Sequence, residues 1–217
     1  MKKQKKQYIV IGLGRFGRSV ATNLAALGHE VLAVDSNEDN VEHIAPFVTQ
    51  AVQADATDEA TLRDLGASEF DAAIVCIGSA SRDSILVTVL CKEAGVPQVI
   101  VKAEDELHAK ILRKVGADRV VFPEKDMGQR VARALDAPGI LDMMELAGDY
   151  RIAEVFAPAA WWIKTLVDIH VRRNYGLAII GIRRGREFIA SPGADSRLHE
   201  GDVLLVLGKQ GDIDAIN

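Results

Sequence analysis

The amino-acid sequence predicts an α/β protein: a Rossmann-like, doubly wound parallel sheet followed by a second, smaller α+β domain. Three observations lead there. From residue 8 to about residue 122, short β-branched runs alternate with longer segments of helical spacing. The first run leads directly into Gly12-Leu13-Gly14-Arg15-Phe16-Gly17. After Pro123 the alternation stops, and from Tyr150 short strands separated by turn residues replace it.

The six runs are Tyr8–Ile11, Val31–Val34, Ala51–Gln53, Ala72–Ile77, Val99–Val101 and Arg119–Phe122. Apolar strands alternating with helices build βαβ units, whose right-handed crossovers cover both faces of a parallel sheet. Ser19, Val20, Leu24 and Leu27 sketch the inward face of the first helix, and Leu107, Ile111, Leu112 and Val115 that of a later one. Gly28, Gly66, Gly95 and Gly116 each follow a helical segment, where left-handed residues commonly end helices. Glu124–Leu135 reads as a helix, Asp136–Gly139 as an interruption, and Ile140–Leu146 as a shorter helix. Ile152–Phe156, Leu177–Arg183, Glu187–Ala190 and Val203–Leu207 read as strands. The expected division is a nucleotide-binding domain over 1–135, a linker helix over 136–149 and a C-terminal domain over 150–217.

The chain has 217 residues, of which 48% are hydrophobic and 26% charged, which excludes wholesale disorder. Lys and Arg number 26 against 31 Asp and Glu, a net charge of -5. That balance argues against a nucleic-acid partner, whose phosphates need a cationic surface. No apolar run approaches the roughly 18 residues of a membrane span, and the lysine-rich start lacks the apolar core of a signal peptide. Cys76 and Cys91 are too few for a disulfide framework and read as buried, reduced thiols.

The glycine loop carries the strongest chemical signal. It follows a strand and opens a helix, so Gly12 suits the tight turn, Gly14 lets the backbone approach a pyrophosphate, and Gly17 lets helix pack on strand. The helix start, with Phe16 in its first turn, offers free N–H groups and a positive dipole end to phosphates. The next strand ends at Asp35, 18 residues after Gly17, where a carboxylate accepts hydrogen bonds from ribose hydroxyls and repels a 2′-phosphate. Ligands of such sheets bind at the carboxyl ends of strands, which adds Ser36, Asn37, Asp55, Ala56, Ile77, Gly78 and Lys102 as candidates. Asn37 is equally placed to cap the following helix, Asp55 to hold a turn, and Lys102 to be a solvated lysine. Arg15 opposes the helix dipole, a mild cost that a phosphate contact would offset.

Catalytic equipment is not evident. The five histidines are scattered without metal-ligand spacing, and there is neither a GxSxG elbow nor a Tyr-x-x-x-Lys pair after Lys102. The residues favour binding without turnover. The alternative is an NAD(H)-binding redox sensor or oxidoreductase.

With these motifs in hand the chain resembles the cytosolic regulatory subunits of bacterial potassium transporters, the KtrA/TrkA type built from RCK domains. The likeness rests on the glycine loop, Asp55-Ala-Thr-Asp58, Val75-Cys-Ile-Gly78, Val101-Lys-Ala103 and Pro123-Glu-Lys-Asp-Met-Gly128. In the second module Leu166-Val-Asp-Ile-His-Val-Arg-Arg-Asn-Tyr-Gly176 and the segment from Leu198 to Leu207 look like an RCK C-terminal domain. One RCK unit rather than two in tandem favours the KtrA type.

The resemblance implies a non-enzymatic subunit whose dimers form an octameric ring on a membrane potassium-translocating subunit of KtrB or TrkH type. Its place would be cytoplasmic, at the inner face of the membrane through that partner. ATP and ADP would be regulatory ligands, with Arg15 reaching the γ-phosphate and Glu124 helping to hold Mg2+, Ca2+ or Na+. Without the resemblance Glu124 reads first as a first-turn carboxylate answering the dipole, and only the resemblance turns it into a cation ligand. In Gram-positive relatives the second domain binds cyclic di-AMP at a dimer interface. Ile163, Ile169, Arg172, Asn174, Tyr175 and Pro192 are the corresponding candidates here. Trp161-Trp162 is more aromatic than that pattern.

Overall fold

The computed structural model describes residues 4–78, 81–136 and 139–216. They divide into two compact units, Met1–Glu124 and Lys125–Asn217.

The first unit contains β1 (Gln7–Ile11), β2 (Glu30–Asp35), β3 (Gln50–Gln53), β4 (Ala72–Val75), β5 (Val99–Lys102) and β6 (Arg119–Val121). All are parallel, in the order β3-β2-β1-β4-β5-β6. Side chains alternate across the sheet, so Ile9, Ile11, Val75 and Val101 enter one buried cluster while Val10, Ala33 and Ile74 enter another. The chain moves outward from β1 to β3 and then returns to β4. The strand order therefore reverses between β1 and β4, the place where such sheets open a crevice.

Helices α1 (Arg15–Ala26), α2 (Glu38–Ile44), α3 (Glu59–Asp64), α4 (Ser81–Glu93) and α5 (Glu106–Lys114) connect the strands, and α6 (Pro123–Asp136) leads out of β6. Asn37, Asp58 and Asp105 cap α2, α3 and α5 with side-chain oxygens that accept from Asp39 N, Ala60 N and His108 N. Gly28, Gly66, Gly95 and Gly116 all have positive φ. Two apolar faces differ from expectation. α1 buries Gly17 and Ala21, with Val20 and Leu24 half-buried, while Ser19 and Leu27 are exposed. Small residues face the sheet there because the helix lies close to it. In α5 the inward pairs are His108 with Leu112 and Ala109 with Leu112, and Leu107 is 67% exposed. β4 also ends two residues early: Cys76 N still donates to Ile11 O at 2.7 Å, and the Cys76–Ile77 backbone then lies against Gly12.

The second unit has five strands: β7 (Ile140–Glu145), β8 (Tyr150–Phe156), β9 (Ala178–Arg184), β10 (Glu187–Ala190) and β11 (Val203–Lys209). They form an antiparallel sheet in the order β10-β9-β11-β8-β7. Short helices α7 (Leu166–Ile169), α8 (Val171–Tyr175) and α9 (Gln210–Asp214) complete it. Its core centres on Trp161, Leu177, Ile182, Leu198, Leu204 and Ile213. Trp161 meets the Tyr175 ring edge-on at 4.9 Å, and Trp162 donates its indole N–H to Ala157 O at 2.9 Å.

The expected linker helix over 136–149 is corrected. Ala137 and Pro138 lie outside the described residues, but Ile140–Glu145 is strand β7, paired with β8 through Ile140–Val155 and Met143–Ala153. Short apolar runs do not distinguish helix from strand, and cross-strand pairing decides here. Gly148, inside the expected linker, is the left-handed turn residue of this hairpin, where Tyr150 N donates to Ala147 O. The contact division at 124/125 also falls earlier than the expected 135.

Two features make stability measurable. A Cβ at Gly208 would lie 2.3 Å from Leu177 Cδ2, and Leu177 is fully buried. Gly208→Ala should therefore destabilise the protein by about 1–3 kcal/mol, the usual cost of overpacking, read by denaturant unfolding. Asp202, with no exposed side chain, accepts two bonds at 2.8 Å from Arg184 Nε and Nη2 and one from His199 N. The Arg184 bonds hold its carboxyl below the ordinary range. A depressed folded-state value contributes stability above the unfolded carboxylate range, near pH 4, that is lost as pH falls through the folded value. Asp202→Asn should cost roughly 2–3 kcal/mol at pH 7 and flatten the acid limb of the stability profile.

Candidate nucleotide-binding cleft

The loop between β1 and α1 is fixed by contacts that only glycine allows. Gly12 has φ +92° and donates to Val34 O at 2.8 Å, and a Cβ on it would meet Cys76 C at 2.9 Å. A Cβ on Gly17 would lie 1.9 Å from Gly12 O. Gly14 caps α1 with no side-chain hydrogen bond, and a Cβ on it would face open space. The first turn of α1 holds no acidic residue, so its N–H groups point at the cleft without an internal anion.

Asp35 ends β2 and braces this loop. Its Oδ2 accepts from Leu13 N at 2.5 Å and its Oδ1 from Asn37 N at 2.8 Å. A carboxylate has about four lone-pair sites, so two remain for ribose hydroxyls.

A cleft of about 450 Å3 opens above the carboxyl ends of the strands. Gly12, Gly14, Arg15, Phe16, Asp35 and Ser36 line it from the β1 and β2 ends. Asp55, Ala56, Ile77, Gly78, Lys102 and Glu124 line it from the others. Twelve of the fourteen expected N-terminal residues thus converge. Gly17 is instead the packing residue beneath the loop, and Asn37 spends its side-chain oxygen on the α2 cap. Asn40, Thr57 and Asp83 also line the cleft and were not singled out from the sequence. Asn40 lies one turn beyond the cap, Thr57 follows Asp55-Ala56, and Asp83 begins the helix after Ile77-Gly78. The strand-end rule points to each of these places without selecting a side chain.

The charges are specific. Lys102 Nζ lies 2.6 Å from Glu124 Oε1, with the lysine side chain 14% and the glutamate 69% exposed. Lys102 lies over Gly78, whose Cβ would approach Nζ to 3.3 Å. The hydrogen bond from Lys102 holds the Glu124 carboxyl below its ordinary range despite partial burial, and the Arg15 charge adds to this. Asp55 is lowered likewise by the Thr57 hydroxyl and N–H at 2.6 and 2.9 Å. Cys76, on the floor, is pushed up to about 12 by burial, so it stays a thiol. Among the described residues no three His, Cys, Asp or Glu side chains gather as a metal cage. Glu124 can supply one hard oxygen ligand, which fits a cation held mainly by phosphates and water.

The C-terminal candidates do not converge within one chain. A second cavity of about 460 Å3 includes Arg172 and Pro192, together with His170, Arg173 and an apolar floor. Ile169 is buried in the core, Asn174 Nδ2 donates to Ile169 O, and Tyr175 packs on Trp161. Ile163 stands 71% exposed at φ +66°.

A doubly wound sheet with a glycine loop at its switch point, followed by a small antiparallel unit, defines a protein of the RCK class. The TrkA-N domain family matches residues 8–123 and the TrkA-C domain family residues 153–217. The chain is 43% identical over 209 residues to Ktr system potassium uptake protein C of Bacillus subtilis, covering 96% of this chain and 95% of the relative. It is 41% identical over 210 residues to Ktr system potassium uptake protein A of the same organism, covering 97% and 95%. This chain belongs to the Ktr potassium-uptake family and is of the KtrA type. Among solved structures the GsuK RCK domain superposes with a TM-score of 0.67 at 20% identity, over 100% of this chain and 47% of that one. A GsuK channel bound to NAD gives 0.68 at 20% identity, over 100% and 39%, and GsuK bound to ADP gives 0.53 at 20%, over 63% and 36%. At these identities the likeness shows the fold. No helix among the described residues is long and apolar enough to cross a membrane.

The loop contacts give a direct test. Gly17→Ala should force α1 off β1 and lower unfolding stability by about 3 kcal/mol, at the upper end of overpacking costs. Gly14→Ala, which meets open space, should cost under about 1 kcal/mol.

Proposed function

We propose that this chain is a non-enzymatic, nucleotide-gated regulatory subunit of a potassium uptake system. It takes ATP or ADP in the N-terminal cleft and controls a membrane potassium-translocating partner of KtrB or TrkH type. The carrying observation is the order of groups along the sheet edge. Asp55 and Ala56 at β3 suit the base, Asp35 at β2 the ribose, and the glycine loop at β1 the first phosphates. Beyond the switch point Gly78, Lys102 and Glu124, with Arg15 at the start of α1, meet the terminal phosphate and its cation. Mg2+ or another hard cation there would relieve the repulsion between phosphates, and Glu124 would supply it one carboxylate ligand.

Regulation follows from differential affinity. A ligand shifts a conformational equilibrium only by binding one state better, and the terminal phosphate is the group that distinguishes ATP from ADP. In this reading the subunit is cytoplasmic, assembles as dimers in an octameric ring, and reaches the membrane through its partner. Residues around Arg172 and Pro192, completed by a second copy, would accept cyclic di-AMP. The alternative of an NAD(H) sensor draws on the same Asp35 and on the NAD-bound GsuK channel.

Thermal unfolding with ATP, ADP, NADH and cyclic di-AMP separates these readings, because a ligand of the native state raises the midpoint by mass action. ATP and ADP should shift it strongly and NADH little; the reverse order would replace nucleotide gating by NAD(H) sensing. Arg15→Ala should weaken ATP by about tenfold or more, the worth of a charge-assisted hydrogen bond, and ADP much less. Equal losses would place Arg15 away from the γ-phosphate.

A further inference from the structure

The part of the cleft beyond the glycine loop holds a carboxylate with no hydrogen-bond or ion-pair partner among the described residues. Of the four carboxylates lining the cleft, three are engaged: Asp35 by Leu13 N and Asn37 N, Asp55 by Thr57, and Glu124 by Lys102. Asp83 is the fourth, half-buried in the first turn of α4, and it has no hydrogen-bond or ion-pair partner among the described residues. α4 follows β4, which lies on the far side of β1 from the ribose-binding Asp35. Asp83 therefore faces the part of the cleft beyond the glycine loop, flanking Lys102 from the side opposite Glu124 in strand order.

That position is costly for an anion-binding site. A helix N-terminus in this place would by itself attract a phosphate, and a carboxylate in its first turn cancels that attraction. Among the described residues two cations line the cleft, Lys102, bonded to Glu124 at 2.6 Å, and Arg15 at the start of α1; Glu124 and Asp83 offset them, so this end offers a triphosphate no net positive charge. A hard cation bridging a phosphate oxygen and a carboxylate removes the conflict, and magnesium is commonly held by one or two carboxylates plus nucleotide phosphates.

We infer that Asp83 is a specificity-determining residue of this cleft: it rejects a bare triphosphate and admits the cation-loaded one, with the cation between Asp83 and the terminal phosphate. The inference rests on the nucleotide reading above. It makes the charge state of the nucleotide, and not only its phosphate count, the quantity sensed. ADP, one phosphate shorter, ends nearer the glycine loop and depends less on Asp83.

The test is calorimetric titration of ATP, of ADP and of NADH into the full chain, in excess chelator and in excess Mg2+, for wild type and Asp83→Asn. Wild type should bind ATP more tightly with Mg2+. Asp83→Asn should tighten cation-free ATP by about fivefold, the worth of one charge pair at contact in a high dielectric, and weaken the Mg2+ complex by about as much. The cation dependence of ATP affinity then falls by at least about tenfold while that of ADP changes by less than about threefold. A structural role for Asp83 would move both conditions together, and that result would overturn the assignment. So would loss of NADH rather than ATP affinity, which would make Asp83 an acceptor for a second ribose. The wild-type comparison alone also decides: equal ATP affinity with and without Mg2+ removes the inference even if the variant does not fold. Failure of the wild type to bind ATP at all would remove the nucleotide reading itself.

Discussion

The approach of Gly17 to the Gly12 carbonyl is the constraint on which the N-terminal unit turns. A helix can lie that close to the strand preceding it only if no side chain stands between them. This closeness is what brings the start of α1 over the sheet edge, and it also presses the Cys76–Ile77 backbone against Gly12. The crevice at the strand reversal is thus roofed by helix N–H groups and floored by an inert thiol. Asp35 completes the brace by holding Leu13 N, so the residue suited to ribose also fixes the shape of the phosphate loop. Binding and architecture are the same set of contacts here.

Charge is graded along the cleft rather than uniform. The end at Asp35 and Asp55 is acidic and already partly satisfied, while the far end mixes Arg15, Lys102, Glu124 and Asp83. A cleft built only to hold a nucleotide tightly would place cations throughout. Alternating charge instead makes affinity depend on what accompanies the phosphates, which suits a regulator that must distinguish related ligands. Under the proposed function the Lys102–Glu124 pair contributes to this: an incoming phosphate would compete for the ammonium and free the Glu124 carboxylate for a cation.

Most of the first unit was legible because several signals coincide. Strand, glycine loop, helix and Asp35 each support the others, and the strand-end rule then gathers residues as distant in sequence as Gly12 and Glu124. Where single signals stood alone, the reading was weaker. Asn37 fitted both a cap and a ligand, and geometry gives it the cap. Asp83 was hidden because an acidic first-turn residue ordinarily answers the helix dipole; only the lining of the cleft shows that it also faces that cavity. Residues 140–145 read as a helix because Ile, Leu and Met spaced over one turn suit either state, and the partner strand that decides begins ten residues later. The C-terminal candidates scatter for a related reason: residues matched to a dimer interface need not meet within one chain.

Glu124 stands at an instructive place in the chain. It is the last residue of the first compact unit and lies in the first turn of α6, the helix that carries the chain into the second. Any ligand that changes the partners of Glu124, whether by drawing Lys102 onto a phosphate or by placing a cation on the carboxylate, therefore acts at the start of the segment that joins the two units. Under the proposed function this is the shortest covalent route from nucleotide to assembly. It gives a physical reason for a lysine–glutamate pair at this point in the cleft, where a simple binding protein would need only the lysine.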